Sequence, residues 1–155
     1  MQQYKDFVEQ CGNLKSLDRG AWVQFNEECD RQGHPEYKIK RPESVASHIF
    51  RTALFALSMP LHPEIDRNKL MRLLLVHDLP ESDLSVGDIT PRDNIPREEK
   101  ERREREALQK LCALVPSGTE IRELWEEYQA NQTLEAKIAH DLDKIEWAVQ
   151  VREYE

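Results

Sequence analysis

The sequence predicts an all-α fold of about six helices, and three observations carry that prediction. Apolar residues recur at helical spacing, most clearly Leu70, Leu73, Leu74 and then His77 at i, i+3, i+4 and i+7. No segment alternates convincingly with the two-residue period of a half-buried strand, and there is no internal repeat. Helix-opening residues at Ser44, Asp66 and Thr133, and breakers at 59–63 and 116–118, divide the chain into helical lengths.

Residues 3–17 carry Phe7, Val8, Cys11 and Leu14 and form the first amphipathic helix. Residues 19–23, RGAWV, read as a turn and a short extended piece. Residues 26–40, NEECDRQGHPEYKIK, are polar with Gly33 and Pro35 and read as an exposed loop. Pro42, Glu43 and Ser44 open a helix that runs to about Ser58, with Val45, Ile49, Ala53, Ala56 and Leu57 on its apolar side. After the break, Asp66 N-caps the next helix. That helix ends at His77 and Asp78, where Pro80 removes a backbone donor. Pro91 and Pro96 keep the following stretch a loop. Residues 97–114 form a charged helix, in which REEKERRERE is a solvated, ion-pair-laced face and Ala107, Leu108, Leu111 and Leu114 turn inward. A short helix covers 119–130. Thr133 caps the last one, whose core stripe is Ile138, Leu142, Ile145 and Val149.

A chain of 155 residues is one domain by the usual size relation, 1–155, long enough for a single core. Its 22 Lys and Arg against 30 Asp and Glu give a net charge of −8, which argues against tracking a nucleic-acid backbone. A small phosphate compound remains compatible if a few basic residues or a metal are focused in a cleft. No apolar leader is visible at the N-terminus, and no window approaches the ~18 consecutive apolar residues of a membrane span. Cys11, Cys29 and Cys112 are scattered and lack CxxC spacing, so they read as reduced thiols in a cytoplasmic protein.

The chemistry is concentrated around His77 and Asp78. A histidine and a carboxylate at the buried end of a helix need a partner, because an unpaired buried charge costs several kcal/mol. His48, between Val45 and Thr52, and Asp143, beside Leu142, also fall near apolar stripes. Two imidazoles and two carboxylates from three helices suit one divalent ion such as Mn²⁺, Fe²⁺, Co²⁺ or Zn²⁺, with positions left for water and substrate. Glu81, three residues past Asp78, is placed to orient or deprotonate a water there. His34, His62 and His140 read as loop or surface residues, and Trp125 and Trp147 as packing. No histidine lies between Asp78 and His140, which favours a single metal over a binuclear centre.

The order His48, His77-Asp78, Asp143 resembles the HD-domain metal-dependent phosphohydrolases. Finer matches resemble one branch, the HD-domain 5′-deoxynucleotidases: Pro42-Glu43-Ser44-Val45 before His48, Leu75-Val76-His77-Asp78 with Glu81, and Val86-Gly87-Asp88-Ile89-Thr90-Pro91. So do Asn94-Ile95-Pro96 with the Glu-Glu-Lys beyond it, 123–128, and 141–144 through 153–155. The resemblance spans most of residues 14–155. It implies a helical HD-domain bundle with one divalent metal (Mn²⁺, Co²⁺ or Mg²⁺) on His48, His77, Asp78 and Asp143, and Glu81 handling the attacking water. It further implies that Asp88 contacts the deoxyribose, that Arg19 and Trp22 hold the nucleotide near its phosphate, and that Glu127 borders the same pocket. The implied reaction is hydrolysis of a deoxynucleoside 5′-monophosphate to deoxynucleoside and phosphate, by a protein that commonly forms a homodimer.

The sequence also departs from that pattern. Ser47 precedes the first histidine where the family usually has an acid, which would loosen the support of His48. The stretch between Glu81 and Gly87 is two residues longer than usual, so Asp83 competes with Asp88 for the sugar contact. Pro80 replaces a small helix former, 26–40 reads as an insertion, and relatives often continue past the position of Glu155. Each residue also has a packing alternative: core histidines bonded to carbonyls, a capping Glu81, a loop Asp88, a core Trp22 and a surface Arg19. Two other functions stay open, an HD phosphohydrolase for another small phosphate ester or nucleotide, and a non-catalytic metal-stabilised interaction module.

Overall fold

The computed structural model describes residues 1–155 and is helical throughout, with seven helices and no sheet. They are α1 (Gln2–Gly12), α2 (Gly20–Gln32), α3 (Val45–Ser58), α4 (Arg67–Val76), α5 (Arg97–Cys112), α6 (Gly118–Ala130) and α7 (Leu134–Tyr154). Short 3₁₀ turns occupy Asn13–Lys15, Pro35–Tyr37, Leu79–Ser82 and Pro91–Asp93. The expected N-caps act as such: Ser44 accepts from the Ser47 amide, Asp66 from Lys69 and Thr133 from Ala136.

The seventh helix is α2, and it corrects two expectations. Residues 19–23 are not a turn and extended piece, since the helix already starts at Gly20. Most of the 26–40 stretch is not a loop either, because the helix runs on to Gln32 and stops where Gly33 takes a left-handed conformation, φ 78°. The polar run that suggested a loop is its solvated face, while Trp22 and Cys29, seven residues apart, are buried on the other. The segment after it is pinned by Asn26, whose side chain both donates to and accepts from the Ile39 backbone, at 3.0 and 2.7 Å.

Helix α4 lies at the centre and packs against α3, α6 and α7. Its Leu70, Leu73 and Leu74 join Ala56, Tyr128, Ala136, Ala139 and Leu142 in one apolar cluster. Its last residue, Val76, joins Leu14, Val45, Ile49, Leu108, Leu111 and Trp125 in the other. The end of α4 therefore sits between two cores, and His77 and Asp78 emerge there.

The expected stripe of α7 is also corrected. Leu142 is buried and Ile138 partly so, but Ile145 and Val149 face outward, as does Leu57 at the end of α3. The inward face of α7 instead carries Ala136, Ala139, Leu142, Glu146 and Gln150. Small and polar residues occupy it because that side is given over to a polar site.

Candidate metal centre and its cleft

Four ligand atoms from three elements converge beyond the end of α4. His48 Nε2, from α3, lies 3.3 Å from His77 Nε2, 3.0 Å from Asp143 Oδ1 on α7 and 3.7 Å from Asp78 Oδ2. His77 Nε2 lies 3.2 Å from Asp78 Oδ2. Both histidine rings are buried, and each is fixed through its other nitrogen. His77 Nδ1 donates to the Leu74 carbonyl at 2.7 Å, within its own helical turn. His48 Nδ1 donates to the Glu146 carboxylate at 2.5 Å. These acceptors fix both rings and turn both Nε2 atoms toward the Asp78 carboxylate. The ligand atoms of His48, His77 and Asp78 all lie within 4.8 Å of one another, and Asp143 Oδ1 adjoins His48 Nε2; imidazole and carboxylate donors so grouped suit a divalent cation, so the residues fit the metal.

The electrostatics agree. Burial opposes charge on His48, yet the Asp143 and Glu146 carboxylates raise its pKa to about 9. A nitrogen that holds a proton this firmly also favours other cations, which must displace that proton. Burial likewise opposes ionisation of Asp78, but His77 and Arg19 hold it well below the usual carboxylate range. The Arg19 guanidinium reaches Asp78 Oδ2 at 3.0 Å and Asp88 Oδ2 at 3.5 Å through the same nitrogen.

Glu81 stands beside this centre on the 3₁₀ turn Leu79–Ser82, only 2% exposed. Its Oε2 has no hydrogen-bond partner. Burial, then the charges of Asp78 and Asp88, push its carboxyl pKa well above the usual range.

A cleft of about 570 Å³ opens over these groups. His77, Asp78, Glu81, Asp143, Arg19 and Asp88 all line it. The longer stretch after Glu81 does not displace Asp88. The added residues close into their own turn, with the Val86 and Gly87 amides on the Asp83 carbonyl and Asp83 Oδ1 taking the Ser85 amide and hydroxyl. Asp83 thus lies outside the cleft, whereas Asp88 Oδ2 accepts from the Gly20 amide at 2.8 Å. Gly20 permits this approach, since a Cβ there would fall 2.6 Å from the Asp88 carbonyl oxygen.

Two expected contacts lie elsewhere. Glu127 does not line the cleft; it accepts from Thr133 Oγ1 at 2.6 Å and pairs with Lys69 at 2.7 Å, tying α6 to the starts of α7 and α4. Trp22 is buried and stacks behind Trp147, which does line the cleft. Ser47 is a bystander to His48, bonded to Ser44.

Several residues were missed. Glu146 supports His48 and is itself held by Arg51, whose Nε donates at 2.6 Å. Glu43 lies 3.7 Å from His48 Nδ1, and burial followed by the Glu146 charge pushes its pKa up to about 7. His140, expected at the surface, is half-buried, stacks on Tyr128 and lines the cleft. The signal available was helical register: Arg51 is three residues from His48, and His140, Glu146 and Trp147 lie three or four from Asp143.

A family model described as HD domain matches residues 11–155. The chain is 38% identical to "5'-deoxynucleotidase HDDC2" of Danio rerio over 157 residues, covering 100% of this chain and 71% of that protein. It is 36% identical to the protein of the same name from Dictyostelium discoideum, covering 100% of this chain and 79% of the relative. Among solved structures, a conserved hypothetical protein from Pyrococcus furiosus superposes with a TM-score of 0.71 at 28% identity, over 96% of this chain and 81% of that one. A "Predicted metal-dependent phosphohydrolase" from Magnetospirillum magnetotacticum MS-1 does so with a TM-score of 0.68 at 28% identity, over 92% and 67%.

Proposed function

The chain belongs to the HD-domain family, and from that premise we propose that it is a metal-dependent 5′-deoxynucleotidase, hydrolysing deoxynucleoside 5′-monophosphates to deoxynucleoside and phosphate. The observation that carries this reading is the four-ligand convergence beside the buried, unpartnered Glu81 in one cleft. The substrate class follows the names of the relatives.

His48, His77, Asp78 and Asp143 are the metal ligands. A divalent cation held by them would supply Lewis acidity, offsetting phosphate charge and lowering the pKa of water. Glu81 takes the proton of the attacking water; it is buried and no donor is committed to its Oε2. Arg19 spends one nitrogen on Asp78 and Asp88 and turns its remaining donors to the phosphate. Asp88, fixed by the Gly20 amide, borders the sugar. The metal is one divalent ion from the set Mn²⁺, Co²⁺, Mg²⁺, Fe²⁺ and Zn²⁺. The protein works as a cytoplasmic homodimer, a reading supported by three free cysteines and by exposed Phe50, Leu54 and Leu57 along α3. No helix is long and apolar enough to cross a membrane.

The test is phosphate release from deoxynucleoside and ribonucleoside monophosphates by metal-stripped protein resupplied with each metal. Metal-dependent release that favours deoxynucleotides is expected, and Asp78→Ala should abolish both metal binding and release. Folded, metal-binding protein that releases nothing would refute the reading, as would metal-dependent turnover by Asp78→Ala.

A further inference from the structure

The cleft walls are mostly polar or charged, yet a nucleotide also carries a flat, weakly polar base. Only two phenol or indole rings line the cleft, those of Tyr128 and Trp147. Tyr128 is buried and already engaged, with His140 nearly parallel at 4.0 Å and His77 at 5.2 Å. Trp147 is 47% exposed. Its ring lies parallel to that of Trp22, 6.0 Å between centroids and 6° between planes, and Trp22 is braced edge-on by Tyr154 at 5.1 Å. The exposed indole is therefore held in one orientation by a buried stack rather than left to rotate.

Its position along α7 is set by the metal centre. Trp147 follows Asp143 by four residues, on the same helix face and about 6 Å further along the axis. With the phosphate at the ligands and the sugar at Asp88, the base has to lie beyond the sugar along the same cleft, whose wall Trp147 forms in part. An aromatic face accepts any base, because every base presents a π-face.

We propose that Trp147 is the platform on which the nucleobase of the substrate stacks, with Trp22 as the residue that positions it; this rests on the deoxynucleotidase reading. The expected substrate is then a true nucleotide, recognised without selection among bases, in preference to a bare sugar phosphate.

The experiment compares dAMP with 2-deoxyribose 5-phosphate, which keeps the phosphate and sugar and lacks the base. Trp147→Ala should lower kcat/KM for dAMP about tenfold, mainly through KM, and leave the sugar phosphate unchanged. Trp147→Phe should restore most of the loss. In a second measurement, dAMP should quench tryptophan fluorescence of the wild-type protein, the sugar phosphate should not, and Trp147→Phe should abolish the quench. Equal losses on both substrates, an unchanged dAMP KM in Trp147→Ala, or quenching that survives in Trp147→Phe would overturn the assignment. If the wild-type protein hydrolyses neither compound, the deoxynucleotidase reading fails, and the fluorescence arm alone decides on the platform.

Discussion

Replacing Glu146 by glutamine should weaken metal binding without unfolding the protein. Glu146 is 1% exposed, and its two oxygens serve different donors: one takes His48 Nδ1 at 2.5 Å, the other Arg51 Nε at 2.6 Å. Both neighbours require an acceptor, and glutamine offers one oxygen and one NH₂. Whichever way the amide turns, a buried donor faces a donor. If the oxygen stays with Arg51, His48 loses the contact that fixes its tautomer and its Nε2 lone pair no longer points steadily at the ligand cluster. If it stays with His48, Arg51 is freed to its remaining partners, Glu43, Gln150 and Glu153, and the carboxylate charge that raised the basicity of His48 is gone. Loss of such a supporting carboxylate typically costs about 10–100-fold in metal affinity, or ~1.4–2.7 kcal/mol. Isothermal titration of Mn²⁺ or Co²⁺ into stripped protein measures this, and the thermal midpoint of the stripped variant controls for folding. A variant that folds and binds metal with the wild-type Kd would refute the claim that Glu146 orients His48.

Two further outcomes follow from close contacts around the cleft. Gly20→Ala places a methyl 2.6 Å from the Asp88 carbonyl oxygen and 2.7 Å from Thr90 Cγ2. The first obstacle is backbone and has to move, so a loss of about 1–3 kcal/mol in stability is expected, with displacement of Asp88 and reduced phosphate release; denaturant unfolding and the release assay check it, and an unperturbed variant would show that α2 does not need this approach. Glu104, buried on α5 3.5 Å from Lys100, has its carboxyl pKa raised by burial from 4.5 to about 7, which the Lys100 charge only partly offsets. The unfolded chain ionises first, so this group costs stability as pH rises from 4.5 to about 7 and continues to cost it above. Glu104→Gln should therefore stabilise the protein at pH 8 by on the order of 2–3 kcal/mol and give no gain at pH 4; an equal gain at both pH values would show that ionisation is not the cause.

The parts of the fold legible in the sequence are those where burial and hydrophobicity coincide. Leu70, Leu73 and Leu74 announce α4 because each is apolar and each is inside. The same rule fails on α2 and α7 for opposite reasons. On α2 only Trp22 and Cys29 are buried, too sparse a stripe to outweigh a polar majority, so a helix reads as a loop. On α7 the inward face is Ala139, Leu142, Asp143, Glu146 and Gln150 in part, while Ile145 and Val149 face out, so an apolar count selects the wrong side. The reason is physical: a metal site must bury carboxylates and imidazoles, and each needs a further buried partner to hold it. The candidate ligands were visible because imidazole and carboxylate on apolar helix faces are conspicuous. Their supports were not, because Arg51, Glu43 and Glu146 are ordinary surface residues by composition, and only the crossing of α3 with α7 makes them interior. Trp22, on α2, stacks against Trp147 of α7 rather than lining the cleft itself. Register along a helix already implied by one ligand, three or four residues to either side, is the sequence signal that would have found Arg51, His140, Glu146 and Trp147. Glu43, reached across the end of α3 from the preceding segment, lies beyond it.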